Sequence, residues 1–492
     1  MFSVFTTNLV KGNIQHHSGK ISMNLLTNQK FWNAVITTPP VKWMLKTTLK
    51  TCPKCGRPPL ETALDSYSGK HHSRCSSCGL YARVIEFWIG FIQQVLAVEK
   101  SRVSKLFADS YVRRAINSIV SGFSEFGFNR PIQVHAPFLV VWNFTYKCNL
   151  KCKHCYSESG NVSKPELSTE EAMKVVDQIA DFGVTSLAFS GGEPLMRKDF
   201  FEVARHAVDA GLYVSLATNG TLLNPENVRK LKEIGVHYVE VSLDGADAKT
   251  HDFFRGQTGA FDQTVQGLKN CLSKDICTCI AVTATKNNLT EIPAVLEMAE
   301  NMGIDRFTLF NFIPTGRGKE IVAADPSPQE REEILRYLNK QLSEDHKIAI
   351  LSTTPQLARV ALQCHSPTQE DLILPLAHME AAKISKRALA LADFIGGCGA
   401  GRLYCAISPE GNVQPCVFMP LAVGNLKTEK LKDIWLNSPV FQDLRDREKL
   451  KGRCGKCDFK FVCGGCRARA YAYHDDYLMS DPGCIRKLSE GD

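Results

Sequence analysis

Residues 137–155 read PFLVVWNFTYKCNLKCKHC, an apolar, β-rich run followed by a Cys-x3-Cys-x2-Cys spacing. Three thiolates this close in sequence can hold three corners of one cubic iron-sulfur cluster. Because no fourth cysteine follows nearby, one iron would stay open to a small chelating ligand. The spacing therefore predicts chemistry, more than a structural role, at Cys148, Cys152 and Cys155.

The sequence around this loop alternates short β-rich runs with helical segments. Helical patterns include STEEAMKVVDQIADFG and NPENVRKLKEIG. Repeated strand-helix units predict a parallel sheet, and six strands between residues 137 and 315 suit an α/β fold with a partial (β/α)6 TIM-like barrel. Its site should lie at the carboxyl ends of the strands. The six predicted strands are FLVVWNFTY, TSLAFSG, YVSLATNG, HYVEVSLDG, CTCIAVTAT and RFTLFNFIP.

Cysteine usage narrows the class of protein. The chain has 492 residues, 44% of them hydrophobic, and no apolar run as long as a membrane span, so we expect a soluble protein. Its 19 cysteines fall in short-spaced groups. A secreted disulfide framework is the alternative, but no signal-peptide pattern opens the sequence. Metal ligation in a reducing, anoxic cytoplasm fits better.

The net charge of +8 belongs to the N-terminal end, because residues 1–60 carry eight Lys and Arg and no Asp or Glu. We treat residues 1–50 as a basic arm. Such an arm suits anionic lipid, nucleic acid or an acidic partner, and a solvated tail is the plain alternative. No dense Lys/Arg cluster gives a strong nucleic-acid signal. We expect a cytoplasmic protein, with peripheral membrane contact through this region as an alternative.

Two Cys-x2-Cys-Gly knuckles, CPKCG and CSSCG, follow the arm within residues 51–82. They predict a structural tetrahedral site of the zinc-ribbon or rubredoxin type, holding zinc or a single iron. Residues 83–136 then show apolar residues at helical spacing, which predicts one or two amphipathic helices. That stripe packs on its own protein or contacts a membrane or an apolar substrate. The four proposed ligands are Cys52, Cys55, Cys75 and Cys78.

Each predicted barrel strand ends in a small or polar signature. The second ends in Ser190-Gly191-Gly192-Glu193-Pro194, where paired glycines let backbone groups approach a ligand. The third ends in Thr218-Asn219-Gly220 and the fourth in Ser242-Leu243-Asp244-Gly245, followed by His251 and Arg255. The GGEP turn alone is a weak signal, but its place one strand after a three-cysteine loop makes it specific.

In this order, the cysteine loop, SGGEP, ATNGTLL, VSLDG and HDFFRG resemble the radical S-adenosylmethionine (SAM) superfamily over residues 137–315. The resemblance implies that the cysteine loop binds a 4Fe-4S cluster whose open iron chelates SAM. Reductive cleavage of SAM would then give a 5′-deoxyadenosyl radical that abstracts hydrogen from a substrate. It also implies an electron donor such as a ferredoxin or a flavodoxin.

The resemblance further implies which residues contact SAM. Gly191, Gly192 and Glu193 would meet its amino group, and Ser242 its ribose. Arg255 would grip the carboxylate with its planar fork, although a solvated helix position is the alternative. His154 would pack beside adenine without titrating. Asn219 completes the predicted cofactor-binding set.

Residues 316–392 are expected to form a mostly helical bridge, and residues 393–492 resemble the SPASM iron-sulfur domain. The resemblance implies two auxiliary 4Fe-4S clusters that relay electrons. Zinc in both sites is the alternative. The spacing Cys463-x2-Cys466 departs from the commonest pattern of three intervening residues. The implied ligands are Cys398, Cys405, Cys416 and Cys466 for the cluster nearer the barrel, and Cys454, Cys457, Cys463 and Cys484 for the outer cluster.

The SPASM segment looks most like enzymes that modify tetrapyrrole side chains in alternative haem and haem d1 biosynthesis. Under that hypothesis, His and Arg residues within 316–400 would contact propionates. Three alternatives stay open: a maturase of a ribosomal peptide or protein, an enzyme that modifies membrane lipid chains, and a non-enzymatic nucleic-acid-binding or redox-sensing protein. Neither the reaction outcome nor an acid, base or radical relay residue follows from the sequence.

Overall fold

A computed structural model gives the fold of most of the chain. Of the expected basic arm, residues 1–28 lie outside the described residues. Among the described helices, none is long and apolar enough to cross a membrane. The described residues are 29–70, 75–96, 100–160, 165–344, 346–366, 371–376, 379–385, 389 and 391–486.

One ten-stranded sheet organises the molecule, in the order β12-β11-β10-β1-β2-β3-β4-β5-β6-β7. Strands β1 to β7 run parallel, β10 pairs parallel with β1, and β11 and β12 are antiparallel additions. A separate hairpin pairs β8 with β9. The strands are β1 Leu139–Thr145, β2 Ser186–Gly191, β3 Tyr213–Thr218, β4 Tyr238–Ser242, β5 Thr278–Ala284, β6 Arg306–Asn311, β7 Ala349–Ser352, β8 Asp371–Leu376, β9 Met379–Ser385, β10 Tyr404–Ile407, β11 Asn412–Gln414 and β12 Gly424–Asn425.

Helices connect the parallel strands and cover the sheet. Ser168 and Glu171 form a capping box at the start of the helix between β1 and β2, while Asn224 caps the helix between β3 and β4. The helices are α1 Gln29–Ile36, α2 Pro39–Leu49, α3 Pro59–Tyr67, α4 Ser76–Leu96, α5 Lys100–Ala108, α6 Ser110–Phe126, α7 Thr169–Asp181, α8 Phe200–Asp209, α9 Pro225–Ile234, α10 Ala248–Arg255, α11 Ala260–Leu272, α12 Ile292–Met302, α13 Pro328–Ser343, α14 Gln356–Cys364, α15 Ala392–Ile395, α16 Leu431–Asn437, α17 Pro439–Arg445, α18 Gly452–Lys456 and α19 Arg467–His474.

The predicted α/β class and six-stranded core are confirmed, since β1 to β6 lie within the six expected runs. The sheet is nevertheless wider than expected. Residues 316–392 contain β7, β8 and β9 besides α13 and α14, so the bridge that the sequence predicted as mostly helical also carries strands. Strand β7 has only four residues and forms by pairing with β6, a long-range contact that local periodicity does not reveal.

Helix α6 closes the amino end of the sheet. The Arg114 guanidinium donates to Val184 O and Ala210 O, each at 3.2 Å, just before β2 and β3 begin. The Tyr111 hydroxyl lies 2.6 Å from Nε2 of His237, just before β4. The carboxyl edge, where the signature motifs lie, faces the opposite way.

The C-terminal region docks on the barrel through a buried arginine. The Arg469 side chain is fully buried on α19, and its Nη2 donates to Asn311 Oδ1 at 2.5 Å and Phe312 O at 2.6 Å at the end of β6. Asp325 and Asp481 flank the guanidinium at 3.6 and 3.7 Å. The cation thus compensates two carboxylates while it fastens the cysteine-rich region to the sheet.

Replacing this cation should destabilise the folded protein. Arg469→Met would remove the cation paired with Asp481 and leave Asp325 with Arg331 alone, at a cost of about 3–5 kcal/mol. We expect a lower Tm in anaerobic thermal unfolding of the holoprotein. Arg229→Met is the matched control, because Arg229 is 53% exposed and pairs with Glu233 on a helix surface. Equal Tm values for the two variants would contradict this role.

Candidate active site at the carboxyl edge of the sheet

The cysteine loop leaves β1 and is fastened through its backbone to the end of α10. The Lys151 amide donates to Arg255 O at 3.3 Å, and the Lys153 amide donates to Phe254 O at 2.9 Å. The three thiols of the loop therefore share one packed group with two apolar side chains. Its members are Cys148, Leu150, Cys152, Cys155 and Ala260.

Arg317 grips the same loop from the other side. Its Nε donates to Cys152 O at 2.9 Å and its Nη1 to Ser159 O at 2.6 Å, while its backbone amide donates to Cys155 O at 2.9 Å. The sequence alone assigned no role to Arg317. Its position shortly after β6 was the available signal, because the carboxyl ends of parallel strands meet at one edge.

Two of the loop's three thiols, Cys148 and Cys152, are poor anions by themselves. Burial raises the pKa of Cys148 to about 12 and also raises the pKa of Cys152, although Arg255 opposes the second shift. Burial pushes the pKa of Cys155 the same way, but Ser157 and Arg317 outweigh it and leave a lowered pKa. Buried thiols in this setting suit a cationic metal centre that takes them as thiolates.

A buried charge network lies beside the loop. The Arg255 Nη2 is 2.7 Å from Asp244 Oδ2, and the same carboxylate oxygen is 3.3 Å from His154 Nε2. Burial acts to raise the pKa of Asp244, but Arg255 and His154 outweigh it and lower the pKa. Burial lowers the pKa of His154 to about 4, so the imidazole is neutral at pH 7. The network joins the end of β4 to the cysteine loop.

Arg255 is thus not a solvated helix residue, and its guanidinium group already has partners in the protein. Besides the Asp244 contact, its Nη1 lies 3.8 Å from the Cys152 sulfur. Within the described part of the chain, Arg255 Nε and His154 Nδ1 are buried without a hydrogen-bond partner. Both atoms fit a polar ligand beside the loop, but a two-nitrogen grip on one carboxylate would have to displace Asp244.

The GGEP turn holds the loop from the β2 side. A Cβ on Gly192 would lie 2.0 Å from Lys147 O, so no other residue fits against the loop backbone there. Gly191 and Gly192 also line the cavity described below. The glycines therefore serve close approach of two backbone segments, in addition to the ligand approach that the sequence predicted.

The Glu193 side chain makes hydrogen bonds between strands. Its buried carboxylate accepts hydrogen bonds from Thr218 Oγ1 and from the Asn219 amide, each at 2.9 Å, and from the Leu195 amide at 3.2 Å. Burial raises the pKa of Glu193 to about 7. Glu193 is absent from the described lining of the cavity. Its side chain joins β2 to β3, and the contact of this segment with the SAM amino group stays a prediction.

The Asn219 side chain is also hydrogen-bonded within the protein. Its Nδ2 donates to Asn149 Oδ1 at 2.9 Å, and its Oδ1 accepts from the backbone and hydroxyl of Thr221 at 2.9 and 2.7 Å. The residue ties the end of β3 to the cysteine loop. Asn219 and Ser242 both line the cavity.

A cavity of about 330 Å³ opens beside the thiols and extends into the barrel. Its walls include Leu139, Val141, Phe310 and Phe418 together with polar side chains. Three arginine residues line this cavity. The thiols of the cysteine loop lie at the end of the cavity that is nearest the carboxyl ends of the strands. These cationic residues are Arg255, Arg306 and Arg317.

The His and Arg residues of 316–400, which were expected to contact propionates, mostly lie outside the lining of this cavity. Among the described residues of that range, Arg317 alone of the His and Arg side chains lines the cavity. Arg331 pairs with Asp325 at 2.5 Å, and Arg359 pairs with Glu332. Arg317 therefore fits that expectation, whereas α13 and α14 direct Arg331 and Arg359 into ion pairs.

A buried carboxylate within the barrel escaped the sequence analysis. Glu240 lines the cavity, and the Tyr238 hydroxyl donates to its Oε2 at 3.3 Å. Burial raises the pKa of Glu240 to about 7. Tyr238, Glu240 and Ser242 alternate along β4 and share one face, a period-two signal that the sequence contains.

The cysteine-rich region brings three of the four predicted inner ligands together. Cys398, Cys416 and Cys466 line a small cavity of about 20 Å³ with Tyr404, whose hydroxyl donates to the Cys416 sulfur at 2.8 Å. The sulfur of Cys416 and the ring of Tyr404 are both buried. This arrangement fits a cluster held beside the barrel, because the same tyrosine also lines the large cavity.

Cys405 does not join them. It is fully buried in the barrel core, whereas its neighbours Tyr404 and Ala406 pack with Cys398 and Cys416. Successive residues of a strand face opposite ways, and β10 directs Cys405 away from the other thiols. Its assignment as an inner ligand is therefore corrected.

The four predicted outer ligands line one cavity of about 30 Å³. Arg486 Nη1 lies 3.1 Å from the Cys457 sulfur, and Arg467 Nη2 lies 3.6 Å from the Cys454 sulfur. Guanidinium groups beside the sulfurs favour thiolate ligation. The four are Cys454, Cys457, Cys463 and Cys484.

The N-terminal knuckles form a different kind of site. The sulfurs of Cys52, Cys55, Cys75 and Cys78 all lie within 4.8 Å of one another, a spacing that suits one ion. Across the described ranges, this is the one group of three or more possible ligands that is so compact. Cluster ligands bind separate irons and stand further apart.

The N-terminal cysteine module, which was expected to be a ribbon, is helical. Residues 51–70 and 75–82 contain α3 and the start of α4 and no strand. The segment PLETALDSY between the two knuckles forms α3. The second knuckle is helical as well, because Cys78 lies in the first turn of α4.

Comparisons with known proteins agree with this geometry. Residues 142–299 match the radical SAM superfamily, and residues 398–458 match the SPASM iron-sulfur cluster-binding domain. The chain is 42% identical over 353 residues to the AdoMet-dependent heme synthase of Methanosarcina barkeri, covering 71% of this chain and 97% of that protein. It is 32% identical over 362 residues to the pre-heme d1 synthase of Dinoroseobacter shibae, covering 72% and 87%.

A solved structure shows the same fold. Streptococcus suis SuiB, bound to its precursor peptide SuiA, superposes with a TM-score of 0.60 at 16% identity, over 87% of this chain and 93% of that one. The sheet, the cysteine loop and the matched domains lead to one conclusion. This chain is a radical SAM superfamily enzyme with a C-terminal SPASM domain, related to tetrapyrrole-modifying members of that family.

Proposed function

We propose that the enzyme modifies a side chain of a tetrapyrrole. The observation that carries the proposal is the 42% identity to a heme synthase over 97% of that protein's length. The cavity supports it, since apolar walls suit a flat macrocycle and Arg306 and Arg317 supply cations for acidic side chains.

We assign the radical-generating cluster to Cys148, Cys152 and Cys155. When bound, the cluster and SAM supply the 5′-deoxyadenosyl radical that abstracts hydrogen from the substrate. The chain's own residues orient the ligand: Arg255 Nε and His154 Nδ1 are buried without a hydrogen-bond partner in the described structure and can meet it. Ser242 and the backbone of Gly191 and Gly192 complete the proposed SAM surface. An electron donor such as a ferredoxin or a flavodoxin would supply the electron.

We assign three cysteines, Cys398, Cys416 and Cys466, to the inner auxiliary cluster. This set leaves one iron without a cysteine ligand, in contrast to the fully ligated cluster expected from the sequence. The outer four cysteines would hold a complete cluster. Iron and sulfide analysis of anaerobically purified protein distinguishes clusters from zinc, because zinc sites contain no sulfide.

Alanine substitutions test the inner ligand set. Cys416→Ala should remove the inner cluster and lower the iron content by about four atoms per chain. Cys405→Ala, the matched control from the same region, should retain that iron because Cys405 lies in the barrel core. Loss of the same amount of iron from both variants would restore Cys405 as a ligand.

We assign one zinc, or a single iron, to the N-terminal thiols. The ion would tie the start of α4 to the loop before α3, a structural role. Cys78→Ser should lose about one metal atom per chain and lower the Tm, because metal binding contributes directly to folding free energy. Cys364→Ser is the control, since Cys364 is exposed and far from this group in sequence. Unchanged metal content in Cys78→Ser would contradict the assignment.

Metabolite masses test the substrate class. Cells that lack the protein are compared by mass spectrometry with cells that express it, or that express a Cys152→Ala variant as the inactive control. We expect at least one tetrapyrrole mass that depends on the wild-type chain alone. A lipid or peptide mass that changes while all tetrapyrroles stay constant would overturn the proposal in favour of the corresponding alternative.

A further inference from the structure

The N-terminal helical module, residues 29–96, exposes an unusual amount of apolar surface. Of the nine large hydrophobic side chains that are exposed in the described structure, five belong to this module. Four of them lie on α4, and the fifth is Trp43 on α2. Those on α4 are Leu80 (64% exposed), Val84 (37%), Phe87 (68%) and Trp88 (42%).

The four residues of α4 form one stripe, because their positions i, i+4, i+7 and i+8 fall on one face of a helix. Aromatic rings extend the stripe: Trp88 contacts Phe91 at 5.7 Å and Trp32 of α1 at 6.3 Å between ring centroids. The buried residues Cys78 and Ala82 occupy another face. The helix thus uses one face for its own fold and leaves the other in water.

The exposed charges of this module have one sign. All seven exposed charged side chains described between residues 29 and 96 are Lys or Arg. The three acidic residues described in this module are Glu61, Asp65 and Glu86, and none is fully exposed. Asp65, for example, is buried against Arg57 and Arg113. The seven basic residues are Lys30, Lys46, Lys50, Lys54, Arg57, Lys70 and Arg83.

We propose that the stripe of α4 docks this enzyme onto an anionic membrane surface. Exposed Leu, Phe and Trp side chains enter the boundary between headgroups and acyl chains, and the exposed Lys and Arg of the same module attract anionic headgroups. Tryptophan suits this boundary because its ring is apolar and its N–H is polar. The proposed contact uses one face of α4, and none of the described helices is long and apolar enough to cross a membrane.

Charge favours a lipid surface over a second copy of this chain. Two copies meeting through α4 would bring two basic modules together, and their like charges would oppose association. A nucleic acid would satisfy the charge but not the aliphatic part of the stripe, since Leu80 and Val84 cannot stack on bases as aromatic rings do.

Vesicle co-sedimentation tests the proposal with the holoprotein. We expect wild-type protein to bind phosphatidylcholine vesicles that contain phosphatidylglycerol, and to bind more weakly as salt rises or when phosphatidylglycerol is omitted. The double variant F87S/W88S should bind at least about tenfold more weakly, because it removes two of the inserted side chains. Val322→Ser, which removes an exposed apolar residue elsewhere, should bind as wild type does.

A charge variant keeps the test independent of folding. Arg83→Glu changes an exposed residue between Leu80 and Val84 and should weaken binding about fivefold. Circular dichroism and SAM cleavage should match wild type in both α4 variants, because neither contacts the cysteine loop. Absence of vesicle binding by wild type, or unchanged binding by both variants, would overturn the proposal. A wild-type dimer that F87S/W88S converts to monomer, without vesicle binding, would also overturn it.

Discussion

The buried ion pair between Asp244 and Arg255 connects the parts of the molecule on which the site depends. Asp244 follows β4 and accepts the Thr283 amide of β5 at 2.9 Å, while Arg255 ends α10 and reaches the Cys152 sulfur. The carbonyl of Arg255 also accepts from the cysteine loop. A charge buried this deeply is tolerated only with its partner in place, so the pair fixes the loop against the sheet.

The ion pair is one of several contacts that hold the cysteine loop in position. Glycines, Arg317 and the end of α10 each contact its backbone from a different element. The loop is thereby presented to a cavity that the parallel strands enclose. Tyr404 and Phe418 each line both this cavity and the smaller one among Cys398, Cys416 and Cys466, so their rings lie between the large cavity and the proposed inner cluster.

Periodicity and turn signatures were enough to predict β1 to β6 and the motifs at their carboxyl ends. Strands β7 and β10 could not be predicted in the same way, because each has four residues and gains its stability from a distant partner. The role of Cys405 was misread for a related reason: its spacing resembles a ligand's, but the register of β10 turns it to the core. Glu193 was predicted correctly as a residue that follows a strand. The hydrogen bonds of its carboxylate with Thr218 and Asn219 could not be predicted from the sequence.

The cysteine loop as a source of radicals is the central claim, and it has a direct measurement. Anaerobically reconstituted protein is reduced in the presence of SAM, and 5′-deoxyadenosine is quantified by liquid chromatography and mass spectrometry. We predict that the wild-type chain forms 5′-deoxyadenosine and that Cys152→Ala does not. Absence of the product from a fully reconstituted, reduced wild-type chain, or equal amounts from both proteins, would contradict the claim.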